Sequence, residues 1–376
     1  MLFDPFSLRD ITFRNRIAIS PMSQYRAVNG YANDWHKVHL GRFAMGGAGL
    51  VYAEATAVEA DGRRTAGDLG LWEDGQIENL SSIAAFLKQE GAIAGIQLSH
   101  AGRKASERRP WHGETPIDDE DRASRNENPW PSIAPSAIAY ADRWPEPREM
   151  SGEDIKRVIA AFGAAARRAD EAGFEVIEVY AAHGFLVHQF LSPISNKRTD
   201  EWGGSAENRR RFAVNVAKAI RRNWPEKYPL AFRLSATDWL DGGVEIDETI
   251  ETAKALKAVG VDMIDCSSGG ISGKERPRRM VLEQGFQAPF AEQVRQSAEM
   301  STMSVGFLWD PVFCEDLVRA GQADMIALAR EVLDDPNWPL HAAVKLGQDE
   351  AHNKWPIESG WWLMKRQRLM DKLGFR

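Results

Sequence analysis

The residues of this chain best placed to do chemistry sit at the ends of short apolar runs. SPMSQY at 20–25, EAT at 54–56, QLSHAGRK at 97–104, YAAHGF at 180–185, RLSATD at 233–238, SSGG at 267–270, SVG at 304–306 and ALAR at 327–330 each close or follow such a run. Gln97 both donates and accepts hydrogen bonds, Arg233 can stabilise a carbonyl-rich heterocycle or its anionic reduced form, and Arg330 can pair with phosphate. Together they point to a planar polar cofactor with a phosphate tail. His183 can donate to a substrate oxygen on which charge develops. Tyr180 stands three positions earlier, and on an extended strand end the two side chains need not share a face, so pairing them requires a bend after Ala181. Each residue also has a plainer reading. Gln97 can serve an interior hydrogen bond, Arg233 an internal ion pair, Arg330 a helix or interface, Tyr180 packing and Gly269–Gly270 a turn.

The elements that must position these residues alternate between apolar and amphipathic. IAIS at 17–20, AGLVYAEA at 48–55, AIAGIQLS at 92–99, FEVIEVY at 174–180, LAFRLSA at 230–236, VDMIDCS at 261–267, STMSVGF at 301–307 and ADMIALA at 323–329 read as eight strands. Ser151 with Asp154 forms a capping pair before Ile155, and Asp310 with Pro311 an N-cap and first-turn proline before Val312. Gly173, Gly260 and Gly321 precede three of the strands, where positive φ can end a helix. The fold class is therefore α/β, a (β/α)8 TIM barrel in one domain over 1–376, with catalytic groups at the C-terminal ends of its strands. A two-domain dinucleotide fold is disfavoured because no GxGxxG follows the first strand. The elaborated loop after the third strand, 100–150, is rich in charge, Pro and Trp. Trp111, Trp130 and Trp144 make it an excursion packed over the mouth, expected to help enclose an aromatic-lined pocket.

Composition narrows the partners. The 47 Lys and Arg against 54 Asp and Glu leave a net charge of −7, with no broad basic field for nucleic acid or anionic lipid. Two cysteines, Cys266 and Cys314, cannot build a disulfide framework, a four-thiolate zinc site or an iron–sulfur cluster, and no metal site is expected. With no long apolar run, a soluble cytoplasmic protein that spans no membrane is expected.

NRIAISPM at 15–22, DWHKVHLGRFAMGGAGLVYAEAT at 34–56, GIQLSHAGRK at 95–104, AAHGFLVHQFLSPISNKRTDEWGGSAENRRRF at 181–212 and DMIALAREVLDDPNWP at 324–339 span almost the whole chain. On these segments the sequence resembles the old yellow enzyme family of FMN-dependent NAD(P)H oxidoreductases, in its thermophilic-like branch with xenobiotic reductases. The resemblance implies non-covalent FMN and NADPH or NADH as electron donor. It places Ser20, Pro21 and Met22 at the flavin ring wall, Ala55 and Gln97 at the pyrimidine side and Arg233 at the N1/O2 edge. Backbone near Gly270, Val305, Gly306, Ala329 and Arg330 would enclose the ribityl phosphate. His183 matches the second member of the pair that grips an activating oxygen, and Tyr25 matches a pocket tyrosine.

The chain also departs from that pattern. Ser23 stands where the branch commonly has a flavin-tuning cysteine, Tyr180 replaces the first member of the substrate pair, and Phe185 replaces the usual tyrosine proton donor. Phe185 can line the substrate pocket but cannot protonate anything, so Tyr25, Tyr180 or water must complete reduction of an activated C=C bond in an enone or related small electron-poor substrate. Tyr-x-x-His is instead similar to the pair in trimethylamine dehydrogenase relatives, which keeps amine or other substrate oxidation as an alternative. A non-catalytic flavin- or phosphate-binding protein is the remaining one. The closing segment 355–376 reads either as a core helix or as an arm. The resemblance favours an arm, with Trp361 or Trp362 reaching the substrate pocket of a neighbour in a homodimer or dimer-based homotetramer.

Overall fold

A ring of parallel strands forms the centre of the computed structural model, which describes residues 1–273 and 280–375. Counting barrel strands alone, they are β1 (Ile17–Ile19), β2 (Leu50–Ala57), β3 (Ile93–Ser99), β4 (Val176–Ala181), β5 (Leu230–Ser235), β6 (Met263–Ser267), β7 (Ser301–Val305) and β8 (Met325–Leu328). Each pairs in parallel with its successor, and β8 pairs back to β1 with Ile326 opposite Ile17, so the sheet closes into a (β/α)8 barrel. The bounds fall within two residues of the apolar runs in the sequence. Such continuous runs are what a sheet covered on both faces requires, and β2 is buried along its whole length.

The helices begin where their capping residues stand. Ser151 Oγ accepts the Asp154 N–H while Asp154 accepts the Ser151 N–H, opening Gly152–Glu171. Asp310 caps Pro311–Arg319 in the same sense. Gly173, Gly260 and Gly321 lie at φ +83°, +93° and +72°, each turning the chain from a helix into the next strand.

Alternate side chains of every strand point inward and stack in layers. The lowest layer is apolar: Leu50, Tyr52, Val176, Ala231, Met263, Met303 and Met325 pack together. An antiparallel hairpin, Phe6–Leu8 with Ile11–Phe13, adds Ile11 and the fully buried Phe13 to this cluster and plugs the lower end. Two positions higher on β3 to β6 the layer turns polar, with Gln97, Glu178, Arg233 and Asp265. That change of character marks the upper end as the functional one.

The excursion packs over this end but encloses it less than its tryptophans predict. Trp130 Nε1 donates to the Asp61 carbonyl at 2.9 Å and Trp144 stands edge-on to Tyr140, whereas Trp111 is 60% exposed. The segment is held by ion pairs, Arg64 gripping Glu107 at 2.5 and 2.6 Å, and by the Arg103 guanidinium on the Ile271 carbonyl at 2.6 Å. It also contains a short helix, Asp119–Arg125, capped by Asp118. Charged residues build that helix almost entirely, so it leaves no apolar period to read. The closing helix, Ile357–Leu373, buries only Gly360, which overturns the core-helix reading and leaves Trp361 and Trp362 45% and 64% exposed. Arg376, the last residue of the closing segment, lies outside the described residues.

Phe13→Ala removes the fully buried ring of the plug from a site with no solvent exposure. The expected cost is about 3–5 kcal/mol of unfolding free energy, read as a lower urea midpoint at unchanged slope.

Candidate active site at the barrel mouth

The turn after β4 supplies the bend that Tyr180 and His183 need. His183 lies at φ +53° and Gly184 at φ +76°. A Cβ on Gly184 would stand 2.3 Å from the Gly270 carbonyl oxygen, and one on Gly270 would stand 2.6 Å from His183 Cα, so the two glycines let the turn and the loop after β6 interlock. The His183 N–H donates to Ser235 Oγ at 3.0 Å, and Lys104 Nζ donates to the His183 carbonyl at 3.0 Å. Beneath the turn, His188 Nδ1 accepts the Gly184 N–H at 2.9 Å while Nε2 faces Asp238 at 2.9 Å, which defines the proton-bearing nitrogen as Nε2.

The His183 ring lies between two hydroxyls, Tyr180 at 2.9 Å from Nδ1 and Ser267 at 2.5 Å from Nε2. Tyr180 stacks on Phe185 with ring centroids 4.0 Å apart. Burial, with Arg233 next, holds the His183 pKa well below the ordinary 6.5, so the ring is neutral and uses one nitrogen to donate and the other to accept. Burial raises the Tyr180 pKa, and it pushes that of Tyr25 up to about 12, so both phenols keep their protons at neutral pH. Burial pushes the Lys104 ammonium down to about 7. Ser235, Ser267 and Lys104 belong to this arrangement through their contacts with His183; their segments were visible in the sequence, their individual roles were not.

His183 and Arg233 open onto a cavity of about 870 Å³, also lined by Val305, Gly306, Ala329 and Arg330. Of the other predicted residues, Ser20 to Tyr25 follow β1, and Ala55 and Gln97 end β2 and β3 on the same barrel face. Gly270 packs against His183 and does not line the cavity, and neither do Trp361 and Trp362 of the closing helix. The 20–25 segment is pinned through a register shift in β2 around Glu54, whose carboxylate accepts the Gln24 N–H at 2.7 Å. Tyr25, at φ +56°, sets its hydroxyl 3.4 Å from Arg64 and its ring edge-on to Trp111. A shallower depression at the lower end is lined by Arg9, Asp262, Arg295 and Asp324, whose charges already pair at 2.7 and 3.0 Å.

The upper cavity offers what FMN requires. Arg330 makes no ion pair among the described residues and lies over the Phe307 ring, leaving its charge for a phosphate. Arg233 faces Asp265 through Nε, and its remaining N–H groups make no hydrogen bond among the described residues. Ser20 Oγ is buried without a partner among the described residues. A separate Glu59, Asp61 and His100 cluster is a poor metal site, because His100 Nδ1 accepts the Gly102 N–H and leaves the proton on the nitrogen facing Glu59.

The NADH:flavin oxidoreductase / NADH oxidase family matches residues 1–349. An NADPH dehydrogenase of Geobacillus sp. (strain WCH70) is 42% identical over 363 residues, covering 96% of this chain and 98% of its own. Among solved structures, 2-naphthoyl-CoA reductase in complex with 2-naphthoyl-CoA superposes with a TM-score of 0.80 at 27% identity, over 93% of this chain and 53% of that one. Histamine dehydrogenase from Rhizobium sp. 4-9 gives 0.75 at 29% identity, over 93% of this chain and 48% of that one. This chain thus spans about half of each of those two longer proteins.

Because the fold holds His183 neutral while the unfolded chain binds a proton below 6.5, this group's contribution to stability is complete above that pH and is lost as pH falls beneath it. A ring-resonance NMR titration is expected to show His183 unprotonated across the interval where an unperturbed histidine titrates.

Proposed function

This chain belongs to the NADH:flavin oxidoreductase / NADH oxidase family, and we propose that it is an FMN-dependent enzyme that uses NADPH or NADH to reduce the activated C=C bond of an enone or related electron-poor substrate. The observation that carries this reading is the Tyr180–His183–Ser267 line beside a cavity in which Arg330 makes no ion pair among the described residues and Arg233 keeps N–H groups without a hydrogen bond. Bound FMN supplies the hydride acceptor and donor that link nicotinamide to substrate.

Arg330 with the backbone at Val305, Gly306 and Ala329 would hold the phosphate, and Gly270 would support that wall. Arg233, Gln97 and Ala55 would meet the pyrimidine side, with Ser20, Pro21, Met22 and Ser23 along the ring. On substrate binding His183 Nε2 would exchange Ser267 for the substrate oxygen and polarise it by hydrogen bonding, an interaction that strengthens as negative charge develops there. Tyr180 is the proton donor of choice. Its hydroxyl lies on His183, its proton is retained at neutral pH, and the neighbouring Phe185 offers only a ring face. Tyr25, with its hydroxyl 3.4 Å from Arg64, would face the substrate from the segment after β1.

The exposed tryptophans of the closing helix support a homodimer, alone or paired into a tetramer, in which Trp361 or Trp362 reaches the neighbour's pocket. Cytoplasmic residence is supported by two unpaired buried cysteines. Among the described residues no helix is long and apolar enough to cross a membrane. Oxidation of an amine is a second reading, favoured by the Tyr180–His183 pair and the likeness to histamine dehydrogenase.

Anaerobic stopped-flow separates these readings. The reductase is bleached by NADPH or NADH and recoloured by enone, an amine dehydrogenase is bleached by amine alone, and a binding protein does neither. His183→Ala and Tyr180→Phe are each expected to leave bleaching intact and slow recolouring by about 100-fold. Deleting residues 356–376 is expected to yield monomers in light scattering with the barrel's circular dichroism retained.

A further inference from the structure

The polar layer beneath the cavity has a charge imbalance that catalysis at the mouth leaves unexplained. Gln97, Glu178, Arg233 and Asp265 come from the adjacent strands β3 to β6 and are 1%, 0%, 8% and 0% exposed. Gln97 Nε2 donates to Glu178 Oε1 at 2.7 Å, and Arg233 Nε faces Asp265 Oδ2 at 3.3 Å. The Glu178 and Asp265 carboxyls lie within hydrogen-bonding reach of each other. If both were ionised, Glu178 Oε2 and Asp265 Oδ1 would be buried with no donor among the described residues, Asp265 Oδ2 would have only its ion pair with Arg233, and one guanidinium would face two carboxylates in a dry interior.

One proton removes both problems. Asp265 has the guanidinium beside it, whereas Glu178 has only the neutral amide of Gln97. We infer that Glu178 carries a proton and donates it to Asp265, and that this shared proton is linked to the redox state of the flavin above Arg233.

Burial first, then the charge of Asp265, raises the Glu178 pKa above the ordinary carboxylate range; burial also raises that of Asp265, with Arg233 opposing. The other ionisable groups facing the layer are Tyr52 from below and Tyr180 from above, both held neutral by burial. His183, above Arg233, is neutral as well. Lys104, on the His183 carbonyl, is pushed down to about 7 and titrates below the alkaline interval, which leaves Glu178 as the group free to change its charge there.

The linkage rests on the FMN reading and has a definite sign. Were FMN bound as that reading has it, its two-electron reduction would bring negative charge to the edge that Arg233 would meet. That charge raises the proton affinity of the carboxyl pair, so between its oxidised-state and reduced-state values the protein takes up one additional proton from water. Glu178 is a positioning residue here, acting through Arg233.

Glu178→Gln mimics the protonated acid in shape and in its hydrogen bond to Asp265, so it should fold and bind flavin. Infrared spectra in D2O of the oxidised protein at neutral pH are expected to show a protonated-carboxyl band that is lost in Glu178→Gln. The band is also expected to be lost in Asp265→Asn, where Glu178 ionises against Arg233. The wild-type flavin midpoint potential is expected to steepen with pH by one proton per electron pair over an alkaline interval, and Glu178→Gln to lack that segment. Identical carboxyl bands in wild type and Glu178→Gln would overturn the proton assignment, and identical pH slopes would overturn the linkage. If the purified chain held no flavin, the FMN reading and the linkage would both fall, while the infrared comparison would still decide the proton.

Discussion

Closure of the barrel is the constraint on which everything at its mouth depends. The ring is completed by β1, only three residues long, which pairs with β8 on one side and β2 on the other. Once closed, the ring of eight strands has no free edge, and its alternating side chains have nowhere to go except into stacked interior layers or against the helices. An interior layer excludes water, so any charge placed there must be balanced within the layer itself. The apolar floor of methionines and Tyr52 and the polar layer above it differ by one step of the strand repeat, and that step separates scaffold from chemistry.

The active turn is held from several sides at once. The positive φ of His183 is maintained by Gly184 and Gly270 packing backbone to backbone, by the Ser235 hydroxyl on its N–H and by Lys104 on its carbonyl. His188 and Asp238 brace the turn from below. With the backbone fixed this way, the Tyr180 hydroxyl reaches the His183 imidazole while its ring stacks on Phe185.

Much of the fold was legible because its determinants are local. Apolar run length located the strands, the Ser151 and Asp310 caps opened their helices, and glycines at 173, 260 and 321 took the positive φ their positions implied. The helix at Asp119–Arg125 was not legible, since it is stabilised by capping and ion pairs and carries no apolar stripe. The closing helix was ambiguous for the opposite reason: its apolar residues look the same in sequence whether they face a core or a partner. The excursion's tryptophans signalled packing, but how far each is covered depends on ion pairs such as Arg64 with Glu107, formed between segments distant in sequence.

By itself the sequence determined the architecture, the segments forming the mouth and the kind of cofactor chemistry they can support, because these follow from residue type and short-range periodicity. Only the tertiary structure decided which groups act together. It brought Ser267 and Lys104 to His183, packed Gly270 against the His183 turn, and set Glu178 against Asp265. Such relations depend on closing distances between strands far apart in the chain, and on removing water from between them. Burial then sets the charge of each group, and no local pattern of residues encodes it.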